Sequence, residues 1–132
     1  MSHCEEGLAR VAGAIRQYQQ ANGGQYPASL ESLVEGGVLS AWDLVCPAGP
    51  HGVGQCSYVY RGADLTAEAP DELIVAYDRQ PWHKGRRNIL FADGQVRRRP
   101  EGVFESSLAR DNRLREEAGL AARPLAGGFR LV

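Results

Sequence analysis

The sequence predicts an α+β domain, with an N-terminal helix, a short second helix, three or four antiparallel strands and a C-terminal helix, packed helix on sheet. Three observations carry this expectation. Apolar residues recur at steps of three and four near both ends of the chain, alternating or continuous apolar runs occupy its middle, and a proline- and glycine-rich stretch parts the first helices from the strands. The 132 residues are read as one domain, residues 1–132, because a second core would have too little chain to bury. The 15 Lys and Arg against 16 Asp and Glu argue against a globally basic nucleic-acid binder.

From Cys4 to Ala21 the residues Leu8, Val11, Ala12, Ile15 and Tyr18 share one helical face, and Glu5, Glu6, Arg10, Arg16, Gln17 and Gln20 take most of the rest. Asn22-Gly23-Gly24 stops this helix, and Tyr26-Pro27 excludes a helical residue before the proline. Ser29 is placed to cap a second helix that buries Leu30, Leu33 and Val34 and ends at Gly36-Gly37. The stretch CPAGPHGVGQC, residues 46–56, reads as a loop. Beyond it, Tyr58 and Tyr60 alternate with Ser57, Val59 and Arg61 as in a half-buried strand, and Leu73 to Tyr77 is apolar on both faces, as a central strand requires.

Asn88 to Arg99 reads NILFADGQVRRR, a hairpin whose turn is expected at Asp93-Gly94. A two-residue type I′ turn there would set Phe91 opposite Val96 and Leu90 opposite Arg97. After Pro100 a helix from Glu101 to Ala118 carries Phe104, Leu108 and Leu114 as a sparse apolar stripe. Arg110, Arg113, Arg115, Glu116 and Glu117 are expected on its wetter sides, with Gly119 as the stop. Phe129 to Val132 could add an edge strand.

The three cysteines leave one over from any pairing. By spacing alone Cys46 and Cys56 fit a disulfide, two reduced core thiols, or a zinc site with His51 and His83, although the paired short spacings of structural zinc are missing. Neither a Gly-x-Ser-x-Gly elbow nor a phosphate-cradling loop is present, and Cys46 has no helix N-terminus to activate it, so no enzyme and no cofactor are expected. The basic residues Arg79, Lys84, Arg86, Arg87, Arg97, Arg98 and Arg99 gather around the hairpin as a positive face. No aromatic stacking series accompanies them. Arg86, Arg87, Arg97, Arg98 and Arg99 are therefore candidates for a protein partner or a solvated edge rather than for nucleic acid. His83 is read as anchoring its loop to a nearby turn or carboxylate, against a metal or proton-transfer site with Asp78 or Asp93.

The spacing His83, nine residues, then Asp93-Gly94 resembles the C-terminal signature of prepilin-type, processing-associated proteins. Independently, CEEGLARVAGAIRQYQQANGGQYPASLESLV followed by Cys46-Pro47 is similar to the stem after the membrane segment of type II secretion pseudopilins. Together these matches span residues 4–99.

The resemblance implies a pilin-like fold with the N-terminal helix laid on the sheet. It also implies a role as a non-catalytic assembly subunit of a type II secretion pseudopilus or type IV pilus-like filament. Its partners would be other subunits, and its location the periplasm or cell surface. No run of about 18 apolar residues occurs in the chain, so the resemblance places membrane anchoring in a helix upstream. The implied oxidising setting favours the Cys46–Cys56 disulfide, with Cys4 left over. His83, Asp93 and Gly94 are then structural motif residues. The acidic calcium loop of major pseudopilins has no counterpart in PEGVFESSLARDN, so no calcium site is implied. A soluble partner- or ligand-binding module using the basic hairpin is the competing expectation.

Overall fold

A computed structural model describes residues 3–45, 58–81 and 83–123. Helix α1 (His3–Ala21) buries Leu8, Val11, Ala14 and Ile15 and leaves Arg10, Arg16, Gln17 and Gln20 in water, as the helical period requires. It ends where Gly23 and Gly24 both take positive φ. Helix α2 (Leu30–Glu35) begins with the Ser29 hydroxyl accepting the Ser32 amide at 3.1 Å, and it buries Leu30 and Leu33. A 3₁₀ turn at Ala41–Leu44 follows, for which the sequence carried no clear period. The Asp43 carboxylate accepts the Ser40 amide at 2.9 Å and so caps that turn.

Strands β1 (Tyr58–Tyr60), β2 (Ile74–Asp78), β3 (Arg86–Phe91) and β4 (Val96–Pro100) form one antiparallel sheet in the order of the chain. Helix α3 (Glu101–Glu117) closes the fold. The fold is thus α+β, and its arrangement agrees with the pilin-like one expected, an N-terminal helix on an antiparallel sheet with a C-terminal helix.

The sheet has a core on each face. On one, Leu8, Val11 and Ile15 of α1 meet Leu73, Val75, Ala76 and Leu90. On the other, Phe104 and Leu108 of α3 meet Ile74, Tyr77 and Ile89. Every residue of β2 is buried, which is why its sequence is apolar without alternation up to the closing Asp78. A register shift between Ile74 and Ala76 lets the adjacent Val75 and Ala76 both join the α1 core.

The β3–β4 turn differs from the expectation. Gly94 has φ +86°, but Asp93 does not share a positive φ, so the turn is not type I′. Phe91 and Gln95 flank a three-residue loop, with the Gly94 amide bonding Phe91 O at 2.9 Å and the Phe91 amide bonding Gln95 O at 2.9 Å. This is a type I turn followed by a left-handed glycine, whose twist also suits antiparallel strands. The Asp93 carboxylate accepts the Gln95 amide at 2.9 Å and holds the turn from inside. The register moves with it: Leu90 faces Val96 and Ile89 faces Arg97, in place of the Phe91/Val96 and Leu90/Arg97 pairs. A two-residue hairpin loop with both φ positive lies instead in the β2–β3 connection, at Lys84 (φ 56°) and Gly85 (φ 78°), between the paired His83 and Arg86.

A second correction concerns α3. Arg115, expected on a wet side, is fully buried, and Asp111 lies on the same stripe as Phe104 and Leu108. Their partners explain it. The Arg61 guanidinium donates twice to Asp111 Oδ2, at 3.1 and 2.7 Å, and the other carboxylate oxygen takes the Ile74 amide at 2.6 Å. Arg115 bonds the Asp64 carboxylate, Ala121 O at 2.7 Å and Arg61 O at 3.3 Å. Buried charges persist only when paired and hydrogen-bonded, and these are. The Cys46–Cys56 bridge, the zinc alternative through His51, and the Phe129–Val132 strand lie outside the described residues.

Candidate functional site

On the α1 face, alternation along β3 and β4 sets Asn88 and Arg98 in the same row that Leu90 and Val96 begin, so this row turns polar toward the first turn of α1. Asp78, the last residue of β2, lies beside it. Asp78 and Asn88 are fully buried. The Asn88 amide donates to Asp78 Oδ2 at 2.8 Å, the Arg98 Nε donates to Asn88 Oδ1 at 3.0 Å, and Arg98 Nη2 lies 3.2 Å from Glu5 of α1. His83 Nε2 stands 3.6 Å from Asp78 Oδ2, beyond hydrogen-bonding distance. One chain of polar groups thus connects α1, β4, β3, β2 and the hairpin loop.

Burial pushes the Asp78 carboxyl up to about 6, against the opposing Asn88 amide and the Arg98 and Arg87 charges. Burial also pushes His83 below its ordinary value, Arg98 adds to this, and Glu5 opposes it. At neutral pH the pair is therefore an anionic carboxylate beside a neutral imidazole, not an ion pair. Among the described residues, Asp78 Oδ1, the Asn88 Nδ2 amide and the Tyr77 hydroxyl are buried without a hydrogen-bond partner. Such groups are costly to leave dry, and two of the three lie in this cluster.

The structure resolves the two carboxylates weighed for His83. Asp78 is its neighbour, whereas Asp93 lies past the opposite end of β3 in the Phe91–Gln95 turn, so the spacing His83 to Asp93-Gly94 marks the two ends of one strand. The spacing of Asp78 and Asn88 does not by itself mark them as a pair. The available signal was a carboxylate ending an otherwise apolar five-residue strand, IVAYD.

The hairpin arginines do not share a face. Arg87 is buried on the α3 side, forked onto both Glu101 oxygens at 2.8 Å and standing 4.4 Å over the Phe104 ring. It also bonds Asp78 O and Arg79 O at 3.3 and 2.9 Å. Arg98 belongs to the α1 side. Arg86 is exposed at the start of β3, opposite Pro100. Arg97 stacks 5.2 Å over Phe91 and lies 3.8 Å from Asp93, and Arg99 donates to Arg98 O at 3.0 Å.

Among the described residues no group of three His, Cys, Asp or Glu side chains is placed to hold a metal ion, and no helix is long and apolar enough to cross a membrane. The chain matches no family model, no curated protein and no solved structure.

Proposed function

We propose that this domain is a non-catalytic assembly subunit of a type II secretion pseudopilus or a type IV pilus-like filament. The observation that supports it most is α1: 19 residues laid by one apolar stripe along a four-stranded antiparallel sheet, with the opposite face left in water. A helix so placed has one side fixed to its own domain and the other open to neighbours. The joint from Glu5 to His83 ties its first turn to three strands, which suits a helix that transmits load. In this reading the partners are other subunits, no nucleic acid is engaged, and a membrane helix upstream anchors the protein with this domain in the periplasm or at the cell surface. His83 and Asp93-Gly94 serve structure.

The test is fractionation and cross-linking of the native gene product in its host. Membrane-associated protein with a processed leader, cross-linked to other filament subunits, is the expected result. A soluble product without such cross-links would remove this reading. The competing one, a soluble module binding a partner through the hairpin, draws on the outward placement of Arg97.

A further inference from the structure

The α3 face of the β3–β4 hairpin opens into a cleft of about 370 Å³ between the strands and the middle of α3. Its size falls in the range of sites that take small ligands or a few side chains. Arg97 and Arg99 enter it from alternate positions of β4, Arg110 from α3, and Asp71, Glu72 and Asp93 from the facing loops, with the half-buried Phe91 also in the lining.

These charges are unequally committed. Arg110 and Glu72 pair at 2.7 Å, but both side chains are more than half exposed, so the pair is weak and exchangeable. Arg97 reaches Asp93 only at 3.8 Å. Arg99 sits directly opposite Arg87, a like-charge pair that disfavours the ladder. Glu101 neutralises Arg87, whereas among the described residues no carboxylate lies within ion-pair distance of Arg99. Two guanidinium groups two residues apart on one strand therefore face the cleft, with underused carboxylates across it.

We propose that this cleft binds an extended polypeptide segment of alternating charge, an acidic side chain docking at Arg97 and Arg99 while a basic one meets Asp71 and Glu72. The wall of carboxylates disfavours a polyphosphate backbone and gives a bare anion no advantage. A peptide with both signs uses both walls, and the Phe91 ring under the Arg97 guanidinium holds that cation toward the cleft. This goes beyond the filament reading and stands or falls without it, because the isolated domain is what binds.

The experiment is amide chemical-shift titration of the labelled domain with a short peptide of alternating glutamate and lysine. Oligoglutamate, inorganic phosphate and oligothymidylate serve as the comparison probes. Saturable shifts are expected at Phe91, Arg97, Arg99 and Arg110, strongest with the alternating peptide. A combined Arg97→Ala, Arg99→Ala variant should weaken binding about tenfold or more, while Arg86→Ala, at the far end of β3, should not. Combined Asp71→Asn and Glu72→Gln should turn the preference toward oligoglutamate. Equal or tighter binding of phosphate or oligoglutamate by the unaltered domain would overturn the proposal. So would tightest binding of oligothymidylate, shifts remote from the cleft, or no saturable shift with the alternating peptide.

Discussion

The two faces of the sheet hold their helices by different means. On the α1 face the contact is a continuous apolar stripe, Leu8, Val11, Ala14 and Ile15 against Val75, Ala76 and Leu90, with polar groups confined to one end. On the α3 face the buried apolar residues of the helix are Phe104 and Leu108, with Leu114 half-buried against the first cluster, and the other buried positions are Asp111 and Arg115. The difference shows that a helix with few apolar residues can still be docked firmly when its charges meet fixed partners. The penalty for losing one partner is then steeper, because the other is stranded in a dry interior.

That contrast orders the expected mutational effects. Asp111→Ala should be the most damaging substitution, at about 3 to 5 kcal/mol, since it removes the buried carboxylate that neutralises Arg61, leaving that guanidinium the neutral Asn112 oxygen, and takes the acceptor from the Ile74 amide. Ile15→Ala on the other face should cost roughly 2 to 4 kcal/mol through the cavity it leaves, with Arg16→Ala nearly neutral. Urea melts of the three variants read this directly. A loss from Asp111→Ala smaller than that from Ile15→Ala would mean that the α3 face is held chiefly by Phe104 and Leu108.

The polar end of the α1 face should make stability depend on pH. Because the folded Asp78 carboxyl is raised to about 6, the folded state holds a proton that the unfolded chain releases near pH 4, so this group's contribution is lost as pH rises through that window. His83 acts oppositely: its lowered value gives stability above its unfolded value of about 6.5 that fades as pH falls through the lower folded one. Asp78→Asn should remove the Asp78 part and stabilise the domain at pH 7 by up to roughly 3 kcal/mol. Denaturation at pH 4.5 and pH 7 checks it, and an unchanged pH slope in the variant would assign the dependence elsewhere.

The smallest effects belong to the β3–β4 turn, which sets the face that each β4 side chain takes. Gly94→Val should cost about 1 kcal/mol or more from the positive φ alone. Asp93→Asn should be nearly silent, because an amide oxygen can accept the Gln95 amide as the carboxylate does. A large loss in Asp93→Asn, measured by thermal melts, would show that its charge toward Arg97 matters more than the turn bond.

What the sequence by itself determined is what lies within a few residues of chain. The α1 face follows from a 3.6-residue period, the start of α2 from the Ser29 hydroxyl three residues before the Ser32 amide, and the hairpin position from Gly94, which tolerates a left-handed backbone. The side of the sheet taken by each arginine depended on register, and the register depended on whether the turn held two residues or three. One residue of slip moves every side chain to the other face, so Arg97 passes from an expected place opposite Leu90 to one opposite Ile89. Only the tertiary structure could seat Asp111 and Arg115 in the interior, because their partners Arg61 and Asp64 lie about fifty positions away. A charged residue on a helix reads as solvated until the fold supplies the opposite charge that makes its burial tolerable.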